Sequence, residues 1–345
     1  MTQKMTAEFL EACANDPKGP VALHLHQLLL PVEGRGAPFF PATFAMDEKY
    51  NIDVLSDGTK VALVDSVGSQ ANRMEPLFLE ADYRDLVPQI DIRYGKEAHQ
   101  KVSILEAGHR LGDAVIRCTE LAPEAHQAFQ DVNRGDAGPA ARLAPTSLVF
   151  GVWDSRDTGV KVPRLVQSTI RAWDVSRLTR SAQFNPALDY AAIEVIEDED
   201  KMKKDEQKSW AERGYLHVPS TGDHGGIIAA GPIRRDVTIN MVALRRLNSK
   251  DGKALRSYLL GLALIAAGEP LDPFLRQGCM LVPDSENPAV WTSVGRDGSR
   301  TALTWDSATA LTFAKAAAKT FGVDKGREVA FDAKRAKADV KGKKK

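Results

Sequence analysis

The sequence predicts an α+β fold, on three observations. Apolar runs of strand character and apolar stripes of helical spacing occur along the same chain. Their order is strand, helix, strands, helix, strand, which is that of an α+β core with long insertions. The 345 residues are 43% hydrophobic and 27% charged, the balance of an ordinary globular protein with a sizeable core.

Residues 21–30 (VALHLHQLLL), bounded by Pro20 and Pro31, read as a buried strand. Residues 50–55 and 60–65 flank Ser56-Asp57-Gly58 in a hairpin-like arrangement. Val67, Ala71, Met74 and Phe78 then form one helical stripe. Residues 86–94 suggest a strand, and 109–144 helices broken by a Gly/Pro loop. Residues 146–153 (TSLVFGVW) are strongly β-prone. In 164–180, the β-branched Val166, Thr169, Ile170 and Val175 favour a strand, with Thr169, Arg171 and Trp173 on one face.

Residues 191–196 begin a strand that gives way to EDEDKMKKDEQKSWAERG, an exposed helix or insertion. Residues 217–239 return to strand, punctuated by Gly-Gly and Gly-Pro. Met241, Leu244 and Leu247 open a helix, and residues 255–267 are apolar nearly all round, hence buried. Residues 279–282 and 289–294 look like strands, and 307–320 a helix closed by Gly322. Residues 325–345 hold nine basic and three acidic side chains. The expectation is one domain over 1–322, with insertions near 95–145 and 192–232, and a basic, disordered tail over 323–345.

With 46 basic and 46 acidic side chains, any affinity for nucleic acid has to come from local patches. Cys13, Cys118 and Cys279 show no paired spacing, which argues against disulfides or a thiolate metal cage and for a reducing, cytoplasmic setting. The first residues carry acids and no long apolar core, so they do not read as a signal peptide. The longest apolar run, 258–268, is too short for a bilayer.

Three stretches carry candidate chemistry. Residues 156–190 hold six Lys or Arg against three Asp, with amides, hydroxyls, Trp173 and Phe184 between them. Cations for phosphates, polar groups for sugars and aromatic faces for bases are what a single-stranded RNA groove needs. Arg164, Arg171, Trp173, Arg177 and Arg180 are its candidates. Residues 63–76 (LVDSVGSQANRMEP) run from a strand into a helix whose first turn holds Ser66, Gly68 and Ser69, a place for a phosphate. Gln70 and Arg73 lie on the side away from the apolar stripe. Residues 231–247 place Arg234-Arg235 and Arg245-Arg246 around a strand-to-helix transition; adjacent arginines point to different sides, so at most one of each pair should contact a common ligand. A solvated, salt-bridged surface is the competing reading of all three.

His24 and His26 share one strand face, but no Cys or carboxylate lies near in sequence to complete a metal site, and none is expected. His109-Arg110 is placed to touch phosphate, or His109 to act as an acid/base. The histidines lack the ordered partners of nucleophilic or metal catalysis, GxSxG and HExxH are absent, and no catalytic residue or cofactor is expected.

The runs DSVGSQANR (65–73), HRLGDA (109–114) and RAWDVSRLTRSAQF (171–184) resemble the CRISPR-associated RAMP-superfamily backbone subunit of type I-G (formerly I-U) Cascade. The likeness covers residues 20–320, and the 171–184 run is its most specific part. It implies an RRM-like, ferredoxin-type core with large finger and thumb insertions. It implies several copies polymerising along a CRISPR guide RNA (crRNA) that pairs with target DNA. Its partners would be neighbouring copies, the large subunit, a fused guide-processing/cap subunit and a recruited helicase-nuclease, with no membrane. By resemblance, guide contacts fall on Gln70, Asn72, Arg73, Arg171, Arg177 and Arg180; Ser69, His109, Arg110, Arg164, Trp173, Arg234, Arg235, Arg245 and Arg246 complete the RNA-binding candidates. The alternative is a metal-independent endoribonuclease of that superfamily, with His109 or His24 as acid/base. A third reading is a structural protein that binds no nucleic acid.

Overall fold

Two-residue alternation in the strands decides which side chains face the helices and which face out. The computed structural model describes residues 2–45, 49–196 and 201–341. In chain order, helix α1 (Ala7–Asn15), capped by Thr6, leads to strand β1 (Ala22–Pro31). The hairpin β2 (Ile52–Val54) and β3 (Lys60–Asp65) runs into α2 (Val67–Met74). β4 (Ile90–Tyr94) and β5 (Gln100–Ser103) precede α3 (Ala122–Asn133), α4 (Gly138–Leu143) and α5 (Pro145–Val149). Then come β6 (Val166–Trp173), β7 (Val175–Phe184), α6 (Lys204–Glu212), β8 (Val218–Ala229) and β9 (Ile233–Asn240). α7 (Met241–Arg246), α8 (Gly252–Gly268), β10 (Cys279–Pro283), β11 (Val290–Val294) and β12 (Arg300–Thr304) follow. α9 (Ser307–Phe321), β13 (Arg327–Ala330) and α10 (Ala333–Lys341) end the described chain.

The main sheet has ten strands, with β12, β11, β1, β9, β6, β3 and β2 as consecutive neighbours, each antiparallel to the next. Leu23, Leu25, Val166, Val237 and Ile239 face the helices and join the main core, in which α8 is buried nearly all round. Gly261 lets α9 cross close, since a Cβ there would lie 2.8 Å from the Ala314 Cα. The other face carries His24, His26, Thr169, Trp173, Arg234, Asp236 and Thr238, all half-buried, with Gln167 and Arg171 exposed.

β6 leaves this sheet through Asp174, whose φ of 51° lies in the left-handed region. It continues as β7, which pairs antiparallel with β8 to form a two-stranded arm. Gly225 permits the close pairing: a Cβ there would sit 2.7 Å from the Thr179 carbonyl.

The α+β class stands, and three local expectations are corrected. Residues 146–149 of the β-prone run lie in helix α5, started by the preceding Pro145, whose fixed φ suits a first helical turn. All five of its residues are buried, so packing overrides β propensity. Residues 191–196 form turns instead of a strand, and 197–200 of the charged run lie outside the described residues. Of the expected disordered tail, residues 327–330 form β13 and 333–341 form α10, and 342–345 lie outside the described residues. β13 pairs parallel with β4, Val329 is buried, and Glu328 pairs with Arg93. Of the two expected insertions, 95–145 contributes Ile104, Leu111, Ile116 and Phe129 to the main core, while 192–232 supplies helix α6 and strand β8, whose Ile227 joins a second, smaller core cluster. Among the described residues no helix is long and apolar enough to cross a membrane.

Candidate nucleic-acid interface

On the open face of the sheet, β9 alternates Arg234, Asp236 and Thr238 outward while Ile233, Arg235, Val237 and Ile239 turn inward. Arg234 lies directly across from Arg171 on β6. Its guanidinium covers the Trp173 ring at 4.3 Å from the centroid, and its Nε donates to Asp236 at 2.6 Å. Arg171 is exposed and donates to Thr169 at 2.9 Å. Like charges directly opposed on a sheet destabilise it. Two arginines on an accessible surface, one of them stacked on an indole, therefore favour a flat, anionic ligand.

A second patch sits at the base of the arm. Arg177 lies over the Tyr50 ring at 5.9 Å and within 2.8 Å of the His224 Nδ1, and Arg180 lies over Phe40 at 5.9 Å. Tyr50 accepts from the Gly226 N–H at 3.1 Å, and burial pushes its hydroxyl above the ordinary range. Phe40, Lys49, Tyr50, Arg180, His224 and Gln277 line a cleft of about 480 Å³ here. Sequence reasoning did not assign Phe40, Lys49, Tyr50 or Gln277 to a site. The loop carrying Phe40 meets β8 through the Phe39–Ile227 bridge, a pairing with no local signal.

The 63–76 stretch turns inward. Asp65 is fully buried and accepts from Ser69 (2.8 Å), Gln70 (2.7 Å), Arg73 (3.0 Å) and Arg276 (2.7 Å). Gln70, also buried, accepts from Ser168 at 2.7 Å, and Arg235 donates to Ser168 at 3.4 Å. The Ser66 hydroxyl takes the Ser69 N–H, so the α2 N-terminus is capped from within. Gln70 and Arg73 do reach one common anion, but it is Asp65. Arg235, 2% exposed, also donates to Gln27 and to the Ala267 carbonyl, each at 3.3 Å. Burial lowers its pKa to about 10. These side chains hold α2 and α8 to the sheet, and the expectation of guide contacts by Gln70 and Arg235 is corrected accordingly.

Arg110 is likewise buried, at 3% exposure and with a positive φ of 52°. It meets Glu75 at 2.7 Å, donates to Asn72 at 3.2 Å and to the Gly151 carbonyl at 3.3 Å, and covers Phe150. Burial pushes the Glu75 carboxyl up to about 7 against the pull of Arg110. A phosphate contact by Arg110 is thus corrected to a core ion pair, while Asn72 stays exposed above it. His109 is exposed, with Asp113 at 3.4 Å. Arg164 is half-buried against Gly151, where a Cβ would stand 2.7 Å from the Arg164 Cγ. Arg245 is tied to the Cys13 and Pro20 carbonyls at 2.7 and 2.6 Å, and Arg246 is exposed. Both lie past the Asn240 end of β9, away from Arg234 at the other end.

The structure also completes what sequence left open at the paired histidines. Asp236 comes across from β9 to stand between His24 and His26. Burial acts to raise its carboxyl, but hydrogen bonds from His24, His26 and Arg234 outweigh it and hold the group well below the usual carboxylate range.

Residues 23–177, from β1 through β6 into the first turn of the arm, match the model of the CRISPR-associated protein GSU0053 family. No curated protein matches the chain.

Proposed function

From the premise that this is a CRISPR-associated protein, we propose that the chain is a crRNA-binding backbone subunit. It oligomerises along the spacer of a type I effector complex and presents the guide for pairing with target DNA. The observation that carries this reading is the opposed pair Arg171 and Arg234 with the Trp173 ring on an open sheet face. Such a surface offers stacking and charge without a set of base-edge donors, as a subunit accepting any spacer sequence requires.

Other features support it. β11, β1, β9 and β6 are neighbours, with helices in the β1-to-β6 and β9-to-β11 connections. That is the split β-α-β order of an RRM-like, ferredoxin-type core, whose sheet face stacks bases. The arm adds Arg177 and Arg180 beside aromatic rings and fits the role of an insertion that reaches along RNA. Exposed Phe184, Leu188, Ile193 and Val195 on and after β7 offer apolar surface for the next copy. The remaining partners follow from that role: a large subunit, a fused guide-processing/cap subunit and a recruited helicase-nuclease. The protein in this role is not an enzyme.

Fluorescence anisotropy with several unrelated single-stranded RNAs tests the reading. Arg177→Ala and Arg180→Ala should each weaken all of them alike and lower the salt slope by about one unit. Losses that differ strongly between sequences would replace the scaffold with a base-reading protein. Products cut in EDTA, and abolished by His109→Ala, would replace it with the ribonuclease.

A further inference from the structure

We propose that His24, His26 and Asp236 form a three-ligand site for a divalent transition-metal ion of the zinc type, on the open face of the sheet. His24 and His26 alternate on β1 and so share that face, while Asp236 lies directly opposite His26 on β9. The His24 Nε2 is 3.4 Å, and the His26 Nδ1 3.3 Å, from the same Asp236 Oδ1. A tetrahedral site with ligands at about 2.0–2.1 Å from the metal has ligand atoms roughly 3.3–3.4 Å apart. The three groups also have ligand atoms mutually within 4.8 Å.

The surroundings set up this geometry. The Thr238 hydroxyl lies 3.3 Å from the His24 Nδ1. A metal bound at Nε2 takes the tautomer in which Nδ1–H donates to that hydroxyl, and it would lie between the Nε2 lone pair and the carboxylate oxygen. Arg234 holds the far oxygen, Oδ2, at 2.6 Å and leaves Oδ1 to the histidines. Both contacts are the outer hydrogen bonds that orient metal ligands. Side-chain exposures of 23% for His24, 39% for His26 and 23% for Asp236 leave the site reachable from solvent. Two imidazoles with one carboxylate suit zinc, cobalt or nickel, whereas magnesium and calcium prefer all-oxygen sites. A water or a phosphate oxygen on the open face would take the fourth position.

The test is a Co²⁺ titration of full-length, tag-free protein stripped of nucleic acid and metal, followed by visible absorption. One ion per chain with the strong absorption of a four-coordinate site is expected, unaffected by excess Mg²⁺. His24→Gln and His26→Gln should each cut the affinity roughly tenfold or more, whereas His99→Gln, remote in sequence and exposed, should not. A weak, six-coordinate spectrum in the wild type, or unchanged binding in both variants, overturns the site and leaves two protonated imidazoles around a carboxylate. Should the variants fail to fold, X-ray absorption at the cobalt edge of the wild type decides. Imidazole scattering is expected, and an oxygen-only shell refutes the proposal. Because RNA is absent, either result is independent of the guide-binding reading.

Discussion

Arg234 and Arg235 are neighbours in sequence and opposites in environment. Arg234 lies on the open face, stacked on Trp173 and held by Asp236. Arg235 is sealed beneath the sheet, where Ser168, Gln27 and a carbonyl take its donors, and among the described residues no carboxylate pairs with it. The pleat alone separates them. Residue type therefore says little about role in this protein: the inner arginines assemble the fold, and the outer ones lie on the accessible face.

The largest effect should come from breaking the inner side. Asp65→Ala leaves Arg73 and Arg276 without their anion and Ser69 and Gln70 without an acceptor. A stability loss of about 3–5 kcal/mol is expected in chemical denaturation. A loss below about 1 kcal/mol would mean that water replaces the carboxylate and that this region is less sealed than its contacts imply.

Glu75 sharpens the same contrast through pH. Its folded-state pKa of about 7 lies above the ordinary value of 4.5, so its contribution to stability is complete below pH 4.5 and is lost as pH rises through 7. Between about pH 4.5 and 8, wild type should lose up to about 3 kcal/mol relative to Glu75→Gln. Denaturation of both proteins across that range measures it, and a constant difference would show that Arg110 keeps the carboxyl ionised throughout.

On the outer side, Trp173→Ala should cost about 1–3 kcal/mol in single-stranded RNA binding, with the circular dichroism spectrum unchanged. Unaltered binding would move the interface onto the arm. The smallest effect is expected at Arg246, exposed beyond the far end of β9. Arg246→Ala should change stability by no more than about 0.5 kcal/mol and leave RNA affinity intact, and a marked loss of affinity would extend the interface to that end.

Much of this was legible where local periodicity governs. Thr169, Arg171 and Trp173 do share a face, and the strands from 21–30, 60–65 and 289–294 form with bounds shifted by a residue or so. A signal for Arg235 was available but unused: in IRRDVTIN, it alternates in phase with Ile233, Val237 and Ile239. Gln70 and Arg110 are placed by tertiary partners that no local spacing reports. Arg276 likewise joins Asp65 from 211 residues away. For the same reason the carboxylate that joins His26, 210 residues distant, was out of reach of any spacing argument. Residues 146–149 differ for another reason, since β propensity is a statement about a half-exposed pleat and this segment is wholly enclosed.

The parallel pairing of β13 with β4 has a practical consequence for how the protein can be shortened. β4 is flanked by β5 on one side and β13 on the other, so its backbone groups are spoken for on both edges. Trimming the chain after Gly322 to discard its lysine-rich end would strip one edge bare. A shortened protein that clumps would then be reporting an exposed template for strand addition rather than a missing electrostatic tail.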